Sequence, residues 1–550
     1  MKTKNLIIES LLLLSLIFTV FVIYSSNLDG PFIFDDSRIE NNPQLHLTEL
    51  TPETLLKAGF ESKPKTRPVA YMSFALNYFF HGFETRGYHL VNIFIHGLTA
   101  IFLYLLLKTT LNLPLLQPKY DKYAFLPFVA ALIWAVHPLQ TQSVSYIIQR
   151  MNSMSALFYI LSLYLYVNGR LNKKTVKKWV LFFCSFLTGL LALGSKETAA
   201  TLPFFIFLYE WYFLQDLDFS WLKKQIFPAL FLLCFIGVLL FGYLGKNPVE
   251  HIIVSYGGRD FTPLQRILTE FRVIFFYISL LLLPLPGRLN LDHDFTLSTT
   301  IATPFTTAVS AGLLLVLLVI AAGSARKHRL VSFCILWFLG NLVIESSVIG
   351  LEIVFEHRNY MPSMMAVVLI LVLFFPIMKQ NIVKVVFLCL VVLLFSVWTF
   401  ERNRVWSDRI SLWGDCAAKS PSKSRPHNNL GVELKRQGRP HEAIDHFRQA
   451  IAIDPQIEES YNNLGNAYMQ IGRSEEAVRQ YTIALDIAPK NPIIHVNLGN
   501  ALAKRWQLEE ALLHYGEALH LNPDYDDARQ YFMATQRMIE SRRLKKTGNL

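Results

Sequence analysis

The sequence predicts an all-α membrane protein: a polytopic helix bundle of about eleven spans followed by a short α-solenoid. Three observations predict it. Hydrophobic residues fill 52% of the 550 positions and charged residues only 17%, against roughly 25% charged in a soluble domain. Apolar runs of ~20 residues, the length a helix needs to cross a hydrocarbon layer, recur as far as residue 400. From His427 onward the composition turns polar and residues recur with a period of 34.

The first run, Leu6 to Tyr24, lacks a small-residue cleavage site and exceeds the ~7–15 residues of a signal-peptide core. It reads as an uncleaved anchor, with a cleaved signal peptide as the alternative. Further spans are expected at about 88–107, 123–137, 150–168, 178–194, 198–214, 225–244, 303–323, 329–349, 361–378 and 382–400. The run from Ile267 to Pro286 differs, because Glu270 and Arg272 occupy its first turns and Pro284 and Pro286 interrupt its end. The basic loops Arg170–Lys178, Lys223–Lys224 and Arg326–Arg329 all face the cytoplasm only if that run does not cross. The N-terminus is then cytoplasmic, while the loop from Asn27 to Gly87 and the C-terminal region lie on the opposite side, in the inner membrane if the cell is bacterial. Arg402, Arg404 and Arg409 run against this arrangement. The net charge of +11 resides in such loops, so it marks membrane topology rather than nucleic-acid binding. Five widely spaced cysteines form neither a metal-ligand spacing nor a disulfide framework.

The repeat is explicit in the residues. His427, Tyr461 and His495 stand 34 apart, as do Gly431, Gly465 and Gly499, then Ala443, Ala477 and Ala511, then Pro455, Pro489 and Pro523. Phe447, Tyr481 and Tyr515 fill a large aromatic position. Small residues at fixed places let paired helices pack closely, and the proline ends each second helix. This is the tetratricopeptide (TPR) pattern over 427–550, with Tyr525 to Lys546 as a polar capping helix. A connector at 401–426 supplies a degenerate half-repeat through Trp413, Cys416 and Pro421, and residues 1–400 form the membrane domain. Asn429, Asn463 and Asn497 recur with the repeat. They either grip an extended peptide through its backbone or are simply common at that place.

Several polar constellations lie at membrane boundaries. Asp35 and Asp36 follow the first span, as a general base for a substrate at the membrane surface or as a turn and helix cap. His89, Asn92 and His96 share one helical face, lining a cavity or bonding neighbouring helices, and His137, Gln142, Arg150 and Asn152 pose the same choice. Ser195-Lys196-Glu197 and Glu356-His357-Arg358 place cations at a depth suited to a lipid-linked phosphate, or to snorkelling and ion pairing.

The order of these motifs resembles one family: the transmembrane and tetratricopeptide-repeat O-mannosyltransferases and their bacterial relatives among the C-type glycosyltransferases. The matching pieces are Phe34-Asp35-Asp36, Arg67-Pro68, Gly87 to Asn92 with His96, Val136-His137-Pro138, Ser195-Lys196-Glu197, Leu289 to Asp294, Arg358 to Pro362 and the repeats. The resemblance implies transfer of a sugar, such as mannose, from a polyprenyl-phosphate carrier to a protein hydroxyl on the non-cytoplasmic face. It makes Asp35 the general base, with Asp36 orienting it or a sugar hydroxyl. Arg67, His89, Asn92, His137, Arg150, Glu197 and His357 become substrate-binding, and Lys196 and Arg358 stabilise the leaving phosphate. Many relatives carry acidic residues after the His-Pro turn, where this sequence has Gln142 and Asn152. A metal site built from carboxylates of those two loops is therefore in doubt, which leaves either a metal-independent enzyme or a divalent metal with a ligand supplied from elsewhere. The repeats would recruit a protein acceptor or partner. Two rival readings are a membrane scaffold whose working surface is the repeat array, and a polymerase or ligase of lipid-linked glycans.

Overall fold

The computed structural model describes residues 2–228, 230, 248–378 and 380–546, and their regular structure is helical, with no strand among them. The chain divides into two compact units, one of residues 1–291 and 295–407, the other of 292–294 and 408–550.

In the first unit, five helices are long and apolar enough to cross a membrane: Ile7–Asn27, Thr85–Leu111, Thr175–Leu193, Thr306–Ser324 and Asn381–Trp406. They coincide with five of the expected spans. Thr175–Leu193 exposes Trp179, Phe183, Phe186 and Leu190, a stripe that water would not tolerate and that lipid solvates. Thr85–Leu111 is instead buried along most of its length and forms the centre of the bundle. Shorter apolar helices occupy three further expected places, Leu126–Ala135, Arg329–Leu342 and Pro362–Phe374. Pro127 opens the first of these, and the His137-Pro138 step just beyond Ala135 prevents its continuation. Arg150–Leu171 is a continuous 22-residue helix. The expected span at 198–214 is not regular: a turn at Glu197–Thr201 leads into Leu202–Tyr209 and then a π-turn at Glu210–Leu214. The expected span at 225–244 falls largely outside the described residues. Pro263–Leu282 is one helix that buries Arg266 and Glu270.

Arg150–Leu171 and Thr175–Leu193 form an antiparallel hairpin clasped in both directions. The Ser162 hydroxyl donates to the Ser185 carbonyl at 2.7 Å, and the Ser185 hydroxyl to the Ser162 carbonyl at 2.8 Å. Such bonds hold helices together where lipid supplies no hydrophobic drive.

The second unit begins with Arg409–Lys419, which buries Trp413 and Cys416. Three helix pairs follow: Ser424–Arg436 with Pro440–Ile453, Glu458–Gln470 with Ser474–Ile487, and Pro492–Lys504 with Leu508–Leu521. Asp526–Lys546 closes the array. A Cβ at Gly431, Gly465 or Gly499 would come within 2.6, 2.5 or 2.6 Å of the ring of Phe447, Tyr481 or Tyr515. Each repeated glycine thus exists to admit its repeated ring.

Candidate functional site

The loop after the first helix turns sharply. Phe34 adopts φ +50°, a left-handed conformation costly for a bulky residue, and it opens the turn Phe34–Asp36. The flanking bonds hold it there. The Asp35 backbone N–H donates to the Tyr146 hydroxyl at 2.8 Å. Asp36 is buried, and its two carboxylate oxygens accept the N–H groups of Ile33 at 2.8 Å and Ile148 at 2.7 Å. Burial pushes the Asp36 carboxyl well above the usual carboxylate range, with those two donors opposing the shift. Asp35 faces outward: its side chain is 30% exposed and lies 3.0 Å from the Arg38 guanidinium. Two adjacent, chemically identical residues therefore have opposite environments.

The segment Tyr146–Asn152 supplies the long-range partners of Asp35 and Asp36, and it also reaches Asn92, Arg67, Lys196 and His357. Arg150 is fully buried; Nε donates to Asn92 at 2.7 Å, Nη1 to the Ser73 carbonyl at 3.2 Å and Nη2 to the Tyr88 carbonyl at 3.0 Å. Asn92 in turn donates to the carbonyls of Val144 and Ile147. Met151 Sδ accepts from Arg67 Nη1 at 3.3 Å. Asn152 accepts from Lys196 Nζ at 3.2 Å and donates to the His357 carbonyl at 2.7 Å.

Around that segment lies a cluster of charges. Arg67 grips Glu197 with Nε and Nη2 at 3.0–3.1 Å, and Thr66 adds a short hydrogen bond to the same carboxylate. Lys196 pairs with Glu345 at 2.7 Å, both nearly buried. Burial lowers the Lys196 ammonium below its usual range while Glu345 opposes the shift. Burial, with the cations Lys196, Arg358 and Arg67 nearby, holds His357 well below the usual imidazole range, so it is neutral. Its backbone N–H donates to Gln142 Oε1 at 2.7 Å.

The residues expected to contact substrate have partners within the protein. His89 bonds the Gly30 carbonyl at 3.0 Å, and His137 Nδ1 accepts from Leu139 N at 3.2 Å while Nε2 bonds the Leu281 carbonyl at 3.1 Å. With Asn92 and Arg150, these are buried and bonded inside the protein. Arg358 is 3% exposed, with its terminal nitrogens on the carbonyls of Ile353 and Glu352 at 2.9 and 2.6 Å. It and Lys196 sit behind the surface, whereas Arg67, at 24% side-chain exposure, reaches it. Sequence reasoning missed Tyr146 and Glu345. Glu345 carried a signal, an acid within the expected span at 329–349; Tyr146 carried none.

In the second unit the repeated asparagines are stitches. Asn463 Nδ2 donates to Asn428 Oδ1 at 3.1 Å and Asn497 Nδ2 to Asn462 Oδ1 at 2.8 Å, each reaching the preceding repeat. Their Nδ2 donors are engaged within the array. Asn429 is half-buried.

Comparison with known proteins agrees with the motif order. A TPR repeat model matches 431–472 and 465–505, and a tetratricopeptide-repeat model matches 492–525. A protein O-mannosyl-transferase of Caenorhabditis elegans is 26% identical over 461 residues, covering 81% of this chain and 63% of that protein. The human protein O-mannosyl-transferase TMTC1 is 27% identical over 514 residues, covering 79% and 54%, and human TMTC3 is 25% identical over 480, covering 78% and 50%. The chain spans about half to three-fifths of the length of these relatives. The similarity to these transmembrane and tetratricopeptide-repeat O-mannosyltransferases extends over about four-fifths of this chain.

Proposed function

We propose that this chain, as a relative of the O-mannosyltransferases, is a membrane glycosyltransferase that moves a hexose such as mannose from a polyprenyl-phosphate carrier to a protein hydroxyl. The reaction takes place on the non-cytoplasmic face. One observation carries the reading: Asp35 is a partly exposed carboxylate in the loop that follows the first apolar helix, on a turn fixed from both sides by Tyr146 and Asp36. An acceptor hydroxyl is a poor nucleophile, and a positioned carboxylate makes it a better one. Asp35 takes the hydroxyl proton as that oxygen bonds to the anomeric carbon. The bond from that carbon to the phosphate oxygen breaks, and its electron pair leaves with the phosphate. Arg67 presents a positive charge at the surface of the site, and Lys196 and Arg358 add to the field from behind. The repeat array presents the acceptor protein.

The test is purified full-length protein with a panel of polyprenyl-phosphate sugars and mass analysis of candidate acceptors. Transfer by the wild type and its loss in Asp35→Asn supports the reading. No transfer from any donor, together with full complementation of a deletion strain by Asp35→Asn, would favour the scaffold. The face is tested by one-sided reporters fused after Lys174, Gly257 and Leu550; a cytoplasmic signal at Leu550 overturns it.

A further inference from the structure

We infer that Arg38 exchanges Asp35 for the phosphate of the lipid carrier, so that donor binding itself releases the base; the inference rests on the transfer reaction proposed above. Arg38 Nη2 lies 3.0 Å from Asp35 Oδ1, three residues along the same turn. The pair is water-facing, with 56% of the Arg38 side chain and 30% of the Asp35 side chain exposed. An exposed pair of this kind is weakly held. The other cations of the site are not: Arg150 and Arg358 are buried with donors on backbone carbonyls, Lys196 is buried on Glu345, and Arg67 holds Glu197 with two nitrogens. Arg38 is the most exposed cation of this set and is held by one exposed contact, so it changes partner at the least cost.

Its two partners compete for the same fork. A guanidinium binds phosphate oxygens bidentately, a stronger arrangement than one exposed contact to a carboxylate. Arg38 and Arg67 both act electrostatically on the Tyr71 phenol, so a phosphate drawn to Arg38 also enters the field of Arg67. The exchange matters most as the reaction proceeds. The carrier begins as a singly charged phosphodiester. When the anomeric C–O bond breaks with its electron pair on the phosphate side, it becomes a monoester able to carry two charges. Meanwhile Asp35 gains the acceptor's proton and loses its own charge. Both changes move the guanidinium from carboxylate to phosphate, and departure of the carrier with return of the proton to water restores the resting pair.

The experiment uses the full chain in lipid nanodiscs with a synthetic polyprenyl phosphate as probe and the matching mannosyl donor as substrate. Arg38→Gln weakens polyprenyl-phosphate binding by about tenfold or more and raises the donor KM, while the acceptor KM stays put. Arg38→Lys recovers part of the loss, since it keeps the charge without the fork. Asp35→Asn, although it should transfer sugar far more slowly, should bind polyprenyl phosphate several-fold more tightly because it gives up its hold on Arg38, and adding Arg38→Gln should erase that gain. Unchanged probe affinity in Arg38→Gln, or no gain in Asp35→Asn, overturns the inference. A wild type that binds the probe through Arg38 yet transfers no sugar removes the transfer reading and leaves the phosphate contact standing. A wild type that does not bind the probe defeats both.

Discussion

Replacing Asp36 by alanine separates the anchor of the acidic turn from its chemistry. The Asp36 carboxylate is buried and satisfies two backbone donors, Ile33 N–H and Ile148 N–H. Deleting it leaves both without an acceptor, at about 1–3 kcal/mol each, so the turn should lose about 2–6 kcal/mol of local stability. Asp36→Asn keeps one acceptor oxygen and sets an amide against the other N–H, for a loss of about 1–3 kcal/mol. Asp35→Asn removes a partly exposed pair worth about 0–1 kcal/mol. Activity should follow a different order. Asp35→Asn loses the base, a drop of about 10²–10⁴-fold. Asp36→Ala, which displaces the carboxylate of Asp35 without touching substrate, should cost on the order of 10²-fold. Two assays suffice: sugar transfer from a labelled polyprenyl-phosphate mannose, and limited proteolysis of the 28–66 loop. The expected pattern is fast cleavage with partial activity for Asp36→Ala, and wild-type cleavage with little activity for Asp35→Asn. Wild-type cleavage and full transfer in Asp36→Ala would refute the anchoring argument.

Other perturbations reach the rest of the molecule. Lys196→Gln strands the buried Glu345 carboxylate, at about 3–5 kcal/mol, and should cut folded yield; adding Glu345→Gln should restore the yield, measured by size-exclusion profile in detergent. Gly465→Ala drives a methyl to 2.5 Å from the Tyr481 ring and should lower the stability of the array by about 1–3 kcal/mol, read from its thermal transition. Acid should weaken the same array. Burial and the facing His446 lower His427, and burial and the facing His495 lower His514, in pairs whose Nδ1 atoms stand 3.3 and 3.1 Å apart. Because the folded state binds these protons less readily than the unfolded chain, stability is full above the ordinary imidazole range near pH 6.5 and falls as pH drops below it. Replacing His427 with Tyr and His446 with Gln, the residues the middle repeat carries as Tyr461 and Gln480, should reduce that acid sensitivity; an unaltered pH dependence of melting would count against it.

The repeat array was legible because its signal is a period, visible in glycine, alanine and proline positions without any knowledge of contacts. Long apolar runs were legible for the same kind of reason, and five of the expected spans coincide with long apolar helices. Hydropathy does not separate a helix that crosses lipid from one broken inside a bundle, which is why 198–214 read as regular. The different environments of Asp35 and Asp36 were not legible, because burial of one and exposure of the other is decided by Ile148 and Tyr146, more than a hundred residues away in sequence. The asparagine ladder was hidden for a subtler reason. Its period is visible, but its bonds join Asn463 to Asn428 and Asn497 to Asn462, offset by one place from the repeat.

The segment Tyr146–Asn152 addresses the loops and helices around it from five of its seven positions: Asp35 through Tyr146, Asp36 through Ile148, Asn92 through Arg150, Arg67 through Met151, and Lys196 and His357 through Asn152. It works like the bitting of a key, in which spacing carries as much information as depth. Inserting or deleting one residue would shift every later tooth against its ward, so variation here is confined to exchanging side chains at fixed length. Loops of the same protein that touch a single neighbour carry no such restriction and can lengthen without consequence for the bundle.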